Sequence, residues 1–261
     1  MKEITVTSIN QLPQLLHVHG WHNKFLRGHA DATWKLRPGL TRDITDPAKA
    51  RYLDEKLYST FRTDVLGNGL ESHFNSPEDK RWRFANAWEW YFQAQHCRLK
   101  TRLMDWTVKW EVAVSFMMGA DENQDKIDGA IWILNADQKH IKATTEEDDY
   151  KNVNPLEFAE SLMIYPPVWY TDDFYEKKLG GNRRMRQMGK FTIQSHDASV
   201  IPMEEQAGIT DCLTKVIIPN MLKKEIRANP KGFIFNEEEL YFKSSFGLDD
   251  LAMDVNRRIF S

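Results

Sequence analysis

The feature that most constrains the fold is a polar segment held between two strongly apolar stretches of helical spacing. It runs Gln95-His96-Cys97-Arg98-Leu99-Lys100-Thr101-Arg102-Leu103-Met104-Asp105-Trp106-Thr107. Before it, 77–94 carries Trp82, Ala85, Trp88, Glu89 and Phe92 at three- and four-residue steps, with Pro77 suited to a first helical turn. After it, 109–120 repeats the pattern through Trp110, Ala113, Val114, Met117 and Met118, as a buried helix does. Polar groups pinned between two buried elements need partners or a ligand, so the functional site is expected here.

The rest of the chain mixes short strands and helices. Lys24 to Gly28 reads as a strand ending at glycine, and Thr33 to Leu36 as its hairpin partner, closed by Arg37-Pro38-Gly39. Pro47 to Leu66 spaces Leu53, Leu57, Tyr58, Phe61 and Val65 as a helix. Gly129 to Leu134 is apolar and β-rich, which predicts a central strand. Lys190 to Gln194 and Thr214 to Pro219 predict two more strands, and Met221 to Arg227 and Leu248 to Ile259 two late helices. The acidic run Glu146-Glu147-Asp148-Asp149 reads as a solvated loop, without fixed ligand geometry for a metal. No regular βαβ alternation, repeat or linker is visible. The expectation is one α+β domain over residues 1–261, with a mixed, largely antiparallel or split sheet flanked by helices.

Composition excludes several classes. Of 261 residues, 41% are apolar, including nine Trp and 14 Phe, enough for a substantial aromatic core. A net charge of -3 argues against a globally basic nucleic-acid binder while leaving room for a local basic groove. Two isolated thiols, Cys97 and Cys212, argue against a disulfide framework or a cysteine zinc site and fit a reducing cytoplasm. No metal is expected. Met1 to Leu16 lacks a basic region leading into an apolar core, so no signal peptide is expected. No apolar run approaches the roughly 20 residues of a membrane span; 112–120 is interrupted by Ser115 and Gly119.

Three constellations can carry chemistry. In Phe25-Leu26-Arg27-Gly28, an arginine at a strand end can grip phosphate or carboxylate oxygens, and the glycine lets backbone approach a ligand. A bare surface arginine before a turn has the same pattern. In the central segment, His96 can act as general base or hydrogen-bond donor, or be purely structural. Arg102 needs a partner if drawn inward, and Asp105 is the local candidate. Thr107 suits a helix N-cap, and a helix N-terminus also suits a pyrophosphate. Third, Asn182 to Thr192 sets Arg183, Arg184, Arg186 and Lys190 around Gln187 and Gly189, as a polyanion contact, a segment closing over a nucleotide, or a solvated basic turn. Lys80 to Phe84 reads as one helix with Trp82 inward and its arginines outward. Phosphate loops, zinc-protease helices and nucleophile elbows are absent from the sequence.

In this order, these motifs resemble the FRG domain family, named for an aromatic-Arg-Gly motif. Its central block reads roughly Gln-His-Tyr-Gly-Leu-Pro-Thr-Arg-Leu-Leu-Asp-Trp-Thr, and a helix with Ala and Phe follows. The matching residues are Arg27 and Gly28; Gln95, His96, Leu99, Thr101, Arg102, Leu103, Asp105, Trp106 and Thr107; then Ala113 and Phe116. Gln187, Gly189 and Phe191 match a later Gln-x-Gly-x-Phe motif, and Leu248 to Ala252 resembles the family's tail. This chain departs at Leu26, in place of the aromatic, and at Cys97, Arg98 and Lys100, in place of Tyr, Gly and Pro.

The motif order is also similar to that of ADP-ribosyltransferases. That resemblance implies an ADP-ribosyltransferase-like sheet with NAD as substrate. It implies that Arg27, Gly28, Asp105 and Trp106 bind NAD, and that His96, Arg102, Thr107 and Gln187 line the catalytic pocket. Gln187 stands where a catalytic acid usually lies, and glutamine cannot act as a carboxylate, so activity would need another acid, with Asp105 the candidate, or positioning alone. The family's bacterial and phage-defence settings imply a cytoplasmic toxin or antiviral effector. Its acceptor would be RNA or DNA, contacted by Arg98, Lys100, Arg183, Arg184 and Arg186, or a protein side chain. A non-catalytic nucleotide-binding module is the alternative. So is a subunit of a toxin–antitoxin complex that uses helix 77–94 and the segment Tyr165 to Tyr170 as an apolar surface. His96 with Arg102 also suits RNA cleavage.

Overall fold

The computed structural model describes residues 1–17, 24–70, 85–119, 121–136, 139–144, 152–164, 189–234 and 247–261. The architecture is α+β, with a mixed sheet flanked by helices. Eight strands are described: β1 (Lys2–Thr5), β2 (Lys24–His29), β3 (Met104–Thr107), β4 (Gly129–Asn135), β5 (Lys142–Thr144), β6 (Leu162–Ile164), β7 (Gly189–Ile193) and β8 (Leu213–Ile218). They form one sheet in the order β1-β8-β4-β2-β3-β7-β6-β5. The end pairs β1–β8 and β5–β6 are parallel, and the five pairs between them are antiparallel. The expected fold class therefore holds.

The helices are α1 (Gln11–Leu16), α2 (Pro47–Gly67), α3 (Ala85–His96), α4 (Trp110–Met118), α5 (His196–Ser199), α6 (Asn220–Ala228) and α7 (Leu248–Phe260). Asp46 caps α2 by accepting from the Ala48 N–H, and Pro47 occupies its first turn. Its apolar stripe, Leu53, Leu57, Phe61 and Val65, is buried with α3 and α7. Phe92 of α3 stacks on Phe191 of β7 at 5.2 Å, so this helix layer covers the β7 side of the sheet.

Strands β2 and β4 are buried on both faces. Leu26, Ile131 and Ile133 face a core with Ala113 and Met117 of α4. Phe25, Trp132 and Leu134 face a second core with Met104 and Trp106. This double burial explains the unbroken apolar run of β4. Gly28 permits the closest contact: a Cβ there would lie 2.1 Å from the Ala113 carbonyl oxygen and 2.5 Å from the Met117 nitrogen. On the side where a Cβ would project, Gly28 is packed against the backbone of α4.

Residues 33–36 do not form a strand, and no hairpin partner follows β2 directly. Its neighbours are β4, registered from Lys24–Asn135 to His29–Ala130, and β3. The 31–38 segment is instead tied to a distant turn. Leu36 donates its N–H to Glu204 and accepts from the Met203 N–H. Pro77, Lys80 to Phe84, Glu146 to Asp149 and Tyr165 to Tyr170 lie outside the described residues. Among the described residues, no helix is long and apolar enough to cross a membrane. No three His, Cys, Asp or Glu side chains among them gather to hold a metal ion.

Candidate functional site

Strands β2 and β3 meet through a single residue pair, Leu26–Thr107. By contrast, β2 runs in register with β4 over six pairs. A cavity of about 530 Å³ opens at this seam, lined on one side by Leu26, Arg27 and Gly28 and on the other by Met104, Asp105, Trp106 and Thr107. Gln95 and His96 at the end of α3 and Phe116 of α4 complete its walls. The guanidinium of Arg27 spans the seam. Nη1 donates to the Asp105 carbonyl at 2.6 Å, and Nε donates to His29 Nε2 at 3.1 Å. Burial lowers its pKa to about 10, which leaves it cationic at neutral pH.

His29 must be neutral to accept that bond. Burial first, then the Arg27 charge, lower its pKa to about 3. The Asp105 carboxylate is exposed and is oriented by a relay. Gln95 Nε2 donates to it at 2.6 Å, while Gln95 Oε1 accepts from the Thr101 hydroxyl at 2.6 Å. That hydroxyl accepts in turn from the Leu103 N–H. Gln95 is thereby fixed with its amide nitrogen toward the cavity. The sequence reading matched Gln95 to the family block without assigning it this role.

Arg102 has a different part. It is fully buried away from the cavity and does not pair with Asp105. Nε donates to Asp54 of α2 at 2.8 Å, Nη1 donates to the carbonyls of Phe158 and Gln194, and Nη2 donates to that of Pro155. Asp54 also accepts from the Tyr91 hydroxyl at 2.8 Å and lies 3.1 Å from His196 Nε2. Burial pushes the Tyr91 phenol well up, so it remains a donor. The guanidinium ties α2 to the 155–158 segment and to Gln194 after β7, and Tyr91 of α3 joins through Asp54 and the Arg102 N–H. Asp105 was nearer in sequence, but it sits on β3 with its side chain at the cavity.

Thr107 is buried on the cavity wall and ends β3. It is not the N-cap of α4; Lys109 occupies that position, and Thr107 Oγ1 accepts its N–H at 3.0 Å. Trp106 also lines the cavity and fixes its ring by donating from Nε1 to Thr192 at 3.0 Å. Half-buried His96 is the last residue of α3.

The turn after α3 carries two expected polyanion contacts. Arg98 follows the helix in left-handed backbone, φ 71°. The Leu99 N–H donates to the Ala94 carbonyl and the Arg98 N–H to that of Gln95, which is the Schellman pattern. Asn256 of α7 clips this turn by donating to the Arg98 carbonyl and accepting from the Lys100 N–H. The Arg98 side chain lies 3.8 Å from Asp249, and Lys100 Nζ sits 4.0 Å over the Phe260 ring. Both residues line the cavity with their charges partly engaged. Arg42, which the sequence reading missed, is exposed on the same wall and makes no hydrogen bond or ion pair with a described residue. It follows an ordinary turn, and no local pattern marks it. Arg183, Arg184, Arg186 and Gln187 lie outside the described residues, while Gly189 and Phe191 line the cavity.

The structure therefore gathers Arg27, His96, Arg98, Lys100, Asp105, Trp106 and Thr107 on one cavity and leaves Arg102 out of it. Chemically, this is a concave site with a fixed guanidinium, an oriented carboxylate and a cationic rim, suited to an anionic ligand. The family model described as FRG domain matches residues 22–126, a span containing Arg27-Gly28 and the whole central block but ending before Gln187. No curated protein and no solved structure matches the chain. Residues 22–126 of this chain are an FRG domain.

Proposed function

We propose that the seam cavity binds NAD and that the protein transfers ADP-ribose from it to an acceptor. The observation that carries this reading is Arg27, a cation fixed across the one place where two central strands share a single residue pair. A guanidinium so placed can grip a pyrophosphate or ribose phosphate without reorganising. The cavity volume of about 530 Å³ falls within the range of small-molecule sites.

In the transfer, the bond from the ribose anomeric carbon to nicotinamide breaks, and its electron pair leaves with the ring nitrogen. The ribosyl centre gains oxocarbenium character, and an acceptor oxygen or nitrogen then attacks it and gives up its proton. Of the two aspartates that line the cavity, Asp43 and Asp105, Asp105 is the one oriented by Gln95, and it is placed to stabilise that positive charge. His96 lines the same cavity and can receive the acceptor's proton. Thr107 and Trp106 shape the wall for the nicotinamide. Arg98 and Lys100 on the rim suit a nucleic-acid acceptor, with Arg183, Arg184 and Arg186 as further contacts. In this reading the protein is a toxin or anti-phage effector, and such an activity calls for a neutralising partner.

The glutamine at position 187 favours a second reading, a nucleotide-binding module without turnover. Incubation with labelled NAD and a mixture of RNA, DNA and cell extract separates the two. Transfer of label by the parent protein, lost in Arg27→Ala and in Asp105→Asn, is the expected result. NAD binding without nicotinamide release or transfer establishes the binding module instead.

A further inference from the structure

A second cavity, about 520 Å³, adjoins the first. Arg42 lines both. The two are also joined through one hydrogen bond, because Arg27 lines the first, His29 lines the second, and Arg27 Nε donates to His29 Nε2. The second cavity has an aromatic wall. Trp34 lies edge-on to His29 with ring centroids 6.0 Å apart, and 46% of its surface is exposed. Its loop is rigidly held. Asp31 Oδ1 accepts from both the N–H and the hydroxyl of Thr33, and Leu36 is tied at both its N–H and its carbonyl to the 203–204 turn. The backbone that carries the ring is therefore held in place, which lowers the ordering cost of a ligand that stacks on it.

The charges divide usefully. Lys35 is paired with Glu205 at 2.9 Å, which neutralises the acid on this wall. Arg37 donates to the Thr41 carbonyl at 3.2 Å. Arg42 is left as the cation without a described partner, at the border of the two cavities. A flat exposed indole on the same cavity as a guanidinium without a described partner suits a ligand with a heteroaromatic ring at one end and a phosphate next to it.

We infer that the second cavity is a nucleoside-phosphate subsite, with the base stacked on Trp34 and the phosphate held by Arg42 where the cavities meet. The inference rests on the proposed NAD reading for what fills the first cavity, and not on the transfer chemistry. The nucleoside phosphate is either the ADP half of a dinucleotide or one residue of an acceptor strand.

The test is calorimetric titration of the full chain with ADP, adenosine, inorganic phosphate and a short single-stranded oligoadenylate. The parent is compared with Trp34→Ala, Trp34→Phe and Arg42→Ala, whose far-ultraviolet dichroism reports folding. ADP is expected to bind the parent and to bind Trp34→Ala about tenfold more weakly, while Trp34→Phe retains most of the affinity. Arg42→Ala is expected to weaken ADP and phosphate and to leave adenosine unchanged. Oligonucleotide binding that also weakens in Trp34→Ala assigns the subsite to an acceptor strand. Sensitivity of ADP alone assigns it to the dinucleotide. Equal ADP affinity in the parent and Trp34→Ala, or no ADP binding at millimolar concentration, overturns the subsite. Trp34-dependent ADP binding by protein that releases no nicotinamide from NAD overturns the transfer chemistry and leaves the subsite standing.

Discussion

Arg98 sits in left-handed backbone where glycine is the economical residue. A side chain there costs roughly 1–2 kcal/mol. Arg98→Gly is therefore expected to raise the unfolding free energy by about 1 kcal/mol, read as a higher urea midpoint at unchanged slope. The same change removes a rim cation, so acceptor binding should fall while stability rises. No change in stability would mean that the arginine side chain repays its strain through Asp249. Asp54 makes the opposite case. Asp54→Ala leaves Arg102 buried and uncompensated, and a loss of roughly 3–5 kcal/mol is expected in chemical unfolding. His29 sets a pH dependence. The folded protein keeps it neutral down to about 3, whereas the unfolded chain takes up a proton below about 6.5. Stability from this group is complete above about 6.5, is lost as pH falls, and levels off below about 3. His29→Gln keeps an acceptor for Arg27, and its thermal midpoint should fall less than the parent's between neutral and acidic pH. At this scale the sequence was half legible. Arg27 and Asp105 were visible as candidates, but the partner of Arg102 is 48 residues away in the chain, and nothing local marks Arg42.

The elements that could be read share one property: their signals are local. α2 has a cap, a first-turn proline and a full apolar stripe, and α4 and β4 are buried enough to be apolar almost throughout. β1, β5 and β6 are three or four residues long at or near the sheet edges, and distant pairing decides them. Periodicity also missed β3, whose Asp105 and Thr107 face a cavity instead of a core. Thr33 to Leu36 looked like a hairpin arm because of the turn that follows it, yet Glu204 and Met203 hold it as a loop. Gly28 shows how two elements fix one residue. Because Gly28→Ala would set a methyl against the backbone of α4, neither rotamer change nor side-chain motion can relieve it. A loss of about 3 kcal/mol is expected from this overpacking, measured as a lower urea midpoint. A neutral result would show that α4 can shift away from β2.

Across the whole molecule, the sheet joins two differently built halves. On one side β2 and β4 lie between two cores, and on the other α2, α3 and α7 cover β7. The halves meet at Leu26–Thr107, and the cavity lies at that junction. The expectation of a mixed, largely antiparallel sheet holds, and the strands form one sheet and not a split one, while which strands would flank the seam depended on long-range order. A net charge of -3 coexists with a cationic cavity rim, so the relevant charge is placed locally. The central claim is that this junction is a dinucleotide site organised by Arg27. Calorimetric titration of NAD into the parent protein and into folded Arg27→Ala tests it most directly. Saturable one-to-one binding by the parent, weakened at least about tenfold in the variant, is the predicted result. Equal affinity in the two proteins, or no binding by the parent at millimolar NAD, would contradict it.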